Sequence, residues 1–155
     1  MPVLHVIKSL TDPLLNLLAD DPVRPEIPAD FRVSDSSEVF VLQDKETLEP
    51  RAVVCVAYTD RVPADILELA WVAELDLTHA IFYTIWSYKP GAGRELIMAA
   101  SRAIKRTRPG ISEFVTLSPP TEMARRFHLK NGASEWRRND DTVNYRYQLA
   151  LESED

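Results

Sequence analysis

The chain has 155 residues, 45% of them hydrophobic and 27% charged, with one cysteine and a formal net charge of −6. That length makes one domain the default, and the composition excludes collagen-like, coiled-coil and disordered classes. Residues 1–80 carry 6 Lys+Arg against 15 Asp+Glu, a net of −9, whereas residues 81–155 carry 12 against 9, a net of +3; overall acidity argues against a general nucleic-acid binder, while the basic half suits an anionic ligand.

Val3 to Ile7 is apolar and β-branched and reads as an edge strand. Thr11 is placed to cap a helix that Pro13 enters in its first turn, with Leu14, Leu15, Leu17 and Leu18 on its apolar side. Pro22, Pro25 and Pro28 exclude a helix across Asp20–Arg32 and predict an ordered or extended connection. Glu38–Gln43 and Arg51–Thr59 read as strands of a hairpin around the polar Asp44–Pro50 segment. Cys55 lies in the apolar run Ala52–Ala57, as a small core residue of a buried strand. A lone cysteine allows no intrachain disulfide and no Cys-x-x-Cys zinc pair, so no metal site is expected. After Pro63, Ala64 to about Ala73 reads as a short helix.

Ala80–Tyr88 is a strand rich in aromatic and β-branched residues, and Pro90-Gly91-Ala92-Gly93 is a turn. A helix follows from about Gly93 to Arg108. Leu96, Ile97, Ala100, Ala103 and Ile104 recur at helical spacing, and Arg94, Arg102, Lys105 and Arg106 make a basic side. Glu113–Leu117 is a strand ended by Ser118-Pro119-Pro120. Thr121 caps a helix to about Asn131, which Gly132 stops. Ser134–Arg138 and Thr142–Leu151 form a last strand pair. The order predicts an α+β domain, a curved mixed β-sheet with helices on both faces.

Two places could carry chemistry. A glycine turn opening a helix offers free N–H groups to an anion, and Lys89 and Arg94 flank it. It is neither a Walker loop nor Gly-x-Gly-x-x-Gly, and a plain turn reads equally well. Ser118 at a strand end and His128 in the next helix form the second place. Arg125, Arg126, Lys130, Arg137 and Arg138 read as solvated charge that could also rim an anion site. No apolar run approaches the roughly 20 residues of a membrane helix. With no signal-peptide layout at the N-terminus, a reduced cytoplasmic setting is expected.

The strand, glycine turn and helix, followed by strand, helix and glycine, resemble the acyl-CoA-binding core of the GNAT acyltransferase superfamily. A more specific likeness lies in Ala80-Ile81-Phe82-Tyr83-Thr84-Ile85, Leu117-Ser118-Pro119 and Phe127-His128-Leu129-Lys130-Asn131-Gly132-Ala133. Trp136-Arg137 and Asn144-Tyr145-Arg146-Tyr147 extend it. These segments, within residues 38–147, resemble the catalytic domain of malonyl-CoA decarboxylase. Residues 1–37 then precede the core, and 148–155 are a tail.

The resemblance implies Ser118 and His128 as catalytic residues. It places the CoA pyrophosphate at Lys89, Gly91, Ala92, Gly93, Arg94, Glu95 and Leu96, and backbone oxyanion donors at Ile85, Trp86 and Ser87. The implied reaction turns malonyl-CoA, or a malonyl group on a carrier, into the acetyl thioester and CO₂ without a further cofactor. His128, with an ordinary pKa near 6.5, would protonate the enolate. The family's helical domain before the catalytic domain, and its helical insertion between serine and histidine, have no counterpart here; nine residues separate Ser118 from His128. Two other readings stay open. One is an acetyl-CoA-dependent N-acetyltransferase, for which Thr84–Tyr88 supplies no carboxylate base and Glu122 or Glu135 would serve. The other is a CoA-binding module without activity. The implied partner is an acyl-CoA or acyl carrier, with a homo-oligomer possible and no nucleic acid or membrane expected.

Overall fold

A computed structural model of the chain describes residues 2–70 and 76–148. Seven strands form a mixed sheet in the order β1-β2-β3-β4-β5-β7-β6. They are β1 (Val3–Ile7), β2 (Ser37–Gln43), β3 (Pro50–Thr59), β4 (His79–Ser87), β5 (Glu113–Thr116), β6 (Ala133–Arg138) and β7 (Val143–Tyr147). The helices are α1 (Ala29–Arg32), α2 (Ile66–Leu69), α3 (Ala92–Thr107) and α4 (Glu122–Lys130). The class is α+β, as the sequence predicts. The chain gathers into two compact units, Met1–Ala57 with Phe82–Ala100, and Tyr58–Ile81 with Ser101–Asp155. Among the described residues no helix is long and apolar enough to cross a membrane.

In the first unit β1 is an edge strand antiparallel to β2, with His5 opposite Val41. The β2–β3 hairpin forms as expected, with Val39 opposite Cys55. Its turn closes because Asp44 Oδ1 accepts from the backbone N–H of Glu46 and Thr47 at 2.9 and 3.1 Å. Ala52 to Val56 are fully buried, the continuous apolar run of a strand covered on both faces. Cys55 is a core residue, and burial pushes its thiol up to about 12. A cation does lie beside it: Arg32 Nη1 stands 3.4 Å from Cys55 Sγ, and burial outweighs its pull.

The N-terminal helix differs from expectation. Thr11 caps nothing; Asp12 Oδ1 instead accepts from Leu14 N–H at 2.8 Å, and a 3₁₀ helix runs over Leu15–Asp20. Pro13 permits this tight start, and only Leu18 of that helix is fully buried. The proline-rich segment does hold one helical turn. Pro28 sits at its N-cap, where a missing N–H costs nothing, and α1 follows.

In the second unit α2 is four residues long, shorter than the sequence suggests, and 71–73 lie outside the described residues. β5 and β7 pair antiparallel, with Phe114 opposite Tyr147, and β7 pairs β6, with Ser134 opposite Arg146. The last strand is described to Tyr147; its expected continuation through Leu151 lies largely outside the described residues. Asn144 is fully buried and donates to the carbonyls of Pro63 and Thr116 at 3.0 and 2.8 Å. It thereby fastens the segment before α2 to β7. Arg137 is part of the same structural tie: it donates to Val62 O at 3.1 Å and Asn144 Oδ1 at 3.2 Å, so it is not a free anion-binding cation.

Candidate active site

The second unit brings Ser118 and His128 together. Pro119 drives Ser118 into extended backbone, where its N–H and C=O exchange bonds with Val143 at 2.9 Å each way. Thr121 then caps α4 by accepting from Ala124 N–H at 3.2 Å. Gly132, at φ +100°, turns the chain out of α4 into β6. His128 is the one fully buried residue of this nine-residue helix. A helix that buries a histidine in place of an aliphatic side chain stands out from ordinary amphipathic packing.

Ser118 Oγ lies 3.1 Å from His128 Nε2 and donates to Thr116 Oγ1 at 2.7 Å. Tyr147 OH lies 2.8 Å from His128 Nδ1. Tyr145 stacks on the imidazole at 5.0 Å, and Phe127 meets it edge-on at 5.1 Å. Ser118, His128 and Tyr147 are at most 4% exposed, and Thr116 is fully buried. Burial lowers the His128 pKa from 6.5 to about 4, so the ring is neutral at pH 7. This corrects the expectation of an imidazole with an ordinary pKa. Burial also raises the Tyr147 phenol, which remains a donor. Sequence reading missed Tyr147 and Thr116 as members of the site. Tyr147 closes the Asn-Tyr-Arg-Tyr segment, and its position in β7, opposite Phe114, was the available signal.

The anion-loop residues lie in the first unit. Gly91 adopts φ +79°, and a side chain there would meet nothing within 4 Å, so backbone conformation rather than space calls for glycine. Ala92 N–H bonds to Lys89 O at 3.2 Å, and α3 starts at Ala92, one residue earlier than read from sequence. Ala92, Gly93 and Leu96 are buried; Lys89, Arg94 and Glu95 are exposed. Ile85, Trp86 and Ser87 are the last three residues of β4, with Trp86 buried. Glu95 puts a carboxylate in the first turn of α3. Arg51, which the sequence reading left aside, approaches it at 3.7 Å. Lys105 and Arg106 stand in the last turn, where they face the negative end of the helix dipole rather than an anion at its start.

The other basic side chains are largely engaged. Arg125 and Arg138 share Glu135 at 2.7 and 3.1 Å, and Arg126 approaches Glu122 at 3.7 Å. Glu135 is thus held by two cations. A different carboxylate reaches the end of β4: Asp20 Oδ2 accepts from Tyr88 OH at 2.8 Å, and Trp86 Nε1 donates to that phenol at 3.0 Å.

No protein-family model matches the sequence. No curated protein matches it significantly either. Solved structures do. Malonyl-CoA decarboxylase from Agrobacterium vitis superposes with a TM-score of 0.79 at 20% identity, covering 96% of this chain and 61% of that one. The Rhodopseudomonas palustris malonyl-CoA decarboxylase gives 0.77 at 22%, covering 98% and 61%. A Bacillus subtilis acetyltransferase in complex with CoA gives 0.65 at 13%, covering 96% and 99%. The chain has the GNAT fold and is similar in structure to malonyl-CoA decarboxylases, of which it spans about three-fifths of the length.

Proposed function

We propose that the chain binds an acyl-CoA and decarboxylates a malonyl thioester, on CoA or on a carrier. The observation that carries this reading is the buried Ser118–His128 contact at 3.1 Å, on a fold shared with malonyl-CoA decarboxylases. Gly91 to Leu96 receive the pyrophosphate at the positive end of α3, with Lys89 and Arg94 beside it. Arg51 offsets the charge that Glu95 would set against a phosphate.

The thioester is its own electron sink, so the protein must orient the carboxylate, stabilise an enolate and supply a proton. His128 is neutral in the free protein. A malonyl carboxylate at Ser118 and His128 favours the charged imidazole, so substrate and proton enter together. The C–C bond then breaks, its electron pair forms the enolate, and CO₂ leaves. Transfer of the His128 proton to carbon yields the acetyl thioester and restores neutral histidine. The carboxylate should be held loosely, because ground-state binding does not speed the step.

The test is incubation with malonyl-CoA alone, following acetyl-CoA by mass, and again with a malonyl-loaded carrier protein. Acetyl thioester is expected from at least one; none above background from either overturns the reading. His128→Gln should lower turnover by about 10²–10⁴-fold. Acyl transfer to an amine is the second reading, favoured by Asp20 at the end of β4, which could serve as its base. Acetyl-CoA consumption that needs an added amine and falls in Asp20→Asn would establish it instead.

A further inference from the structure

We infer that Thr116 sets the direction of the hydrogen bonds through Ser118 and His128, holding Ser118 as an acceptor that orients rather than as a nucleophile. A serine hydroxyl has one hydrogen. Ser118 gives it to Thr116 Oγ1 at 2.7 Å, which leaves none for His128 Nε2 at 3.1 Å. Nε2 must therefore carry the hydrogen of that contact. A neutral imidazole has only one ring N–H, so Nδ1 is bare and accepts from Tyr147 OH at 2.8 Å. The order is Tyr147 O–H to Nδ1, Nε2–H to Ser118 Oγ, and Ser118 O–H to Thr116. Bonds aligned this way polarise one another.

The Thr116 side chain is held where its Oγ1 stays within reach of the Ser118 hydroxyl. It is fully buried on β5, its Oγ1 accepts from Tyr145 N–H at 3.0 Å, and its carbonyl accepts from Asn144 at 2.8 Å. A nucleophilic serine needs the opposite polarity, with its O–H aimed at a bare imidazole nitrogen. Forming an acyl-serine here would require Ser118 to break its bond to Thr116 and His128 to change tautomer. The pair looks like a hydrolase dyad in sequence and distance, yet its protons run the wrong way for one. It suits a site that keeps a proton on Nε2, ready to be given up. Thr116 is thus a positioning residue. Its consequence for turnover rests on the decarboxylase reading, whereas the proton order does not.

The test reads the tautomer directly in ligand-free protein carrying ¹⁵N-labelled histidine, with the His128 ring signals assigned by their loss in His128→Gln. The intact protein should show hydrogen on Nε2 at pH 7. Thr116→Val removes the acceptor, frees the Ser118 hydrogen for Nε2 and should move the ring hydrogen to Nδ1. Where malonyl-CoA is turned over, that variant should lose about a hundredfold in rate with little change in KM. Thr116→Ser should restore both. An intact protein protonated on Nδ1 overturns the inference, as does a Thr116→Val protein that keeps hydrogen on Nε2. An inactive intact protein with the expected tautomer shift would remove the decarboxylase reading and leave the proton order standing.

Discussion

In the first unit the buried polar centre is charged. Asp21 and Arg32 are 3% and 1% exposed and meet at 2.8 Å. The carboxylate also accepts from Val23 N–H, Arg24 N–H and Thr84 Oγ1, and Arg32 donates to the carbonyls of Ile27 and Arg24. Burial opposes the Asp21 charge, yet these bonds outweigh it and hold its pKa below the usual 3.8. In the second unit the buried centre is neutral: Tyr147, His128, Ser118 and Thr116 form a row of hydrogen bonds without an ion. Burial is there allowed to win, and the histidine gives up its charge. A charge saturated with donors pins a proline-rich segment to β4 and has nothing left to give. A neutral imidazole with one movable proton can change state when an anion arrives.

Breaking the ion pair should have the largest effect on stability. Arg32→Met leaves Asp21 buried without its cation and should cost about 3–5 kcal/mol in denaturant unfolding. Adding Asp21→Leu should recover much of that loss. If the single change costs nothing, the charged centre is not structural and the contrast fails.

Acid should separate the two centres. The His128 pKa is lower in the folded protein than in the unfolded chain, so its contribution is complete above pH 6.5. It is lost as pH falls from there to about 4, by about 3 kcal/mol. The Asp21 pKa is also lowered, so its contribution is complete above 3.8 and is lost only as pH falls below that value. Stability measured against pH should show the first window shrink in His128→Gln, leaving the part that half-buried His79 contributes, while the second persists. A profile flat between pH 6.5 and 4 would contradict a neutral buried His128.

The smallest pair of effects sharpens the same contrast. Thr84→Val removes a donor from a buried carboxylate and should cost about 1.5–3 kcal/mol. Tyr147→Phe removes a donor from a neutral nitrogen and should cost about 1 kcal/mol while lowering turnover. Equal losses would mean that charge makes no difference to these buried bonds.

Most elements were legible because their signals are local. Alternating and apolar runs marked β2, β3 and β4. The spacing of Leu96, Ile97, Ala100, Ala103 and Ile104 marked α3, and all five are buried. Thr121 and Gly132 bounded α4 by capping chemistry. The N-terminal helix differs from its expected form because Asp12 closes a turn onto Leu14 N–H, and the 3₁₀ helix starts after it without a side-chain cap. Arg137 read as solvated charge because nothing local predicts a bond to Val62, 75 residues away. The Asp20–Tyr88 contact was invisible for the same reason, its partners lying 68 positions apart.

By itself the sequence determined the α+β class, the edge position of β1 and the core placement of Cys55. Periodicity, capping and turn chemistry act over a few residues, so they are written in neighbouring letters. Tertiary structure decided what those residues can do. It buried His128 among Phe127, Tyr145 and Tyr147 and so removed its charge. It also tied Thr116 to Asn144 and Tyr145 of β7, and paired Arg125 and Arg138 with Glu135, thinning the expected basic rim. Desolvation and hydrogen-bond direction depend on what lies across the sheet, and the order of residues along the chain does not carry that.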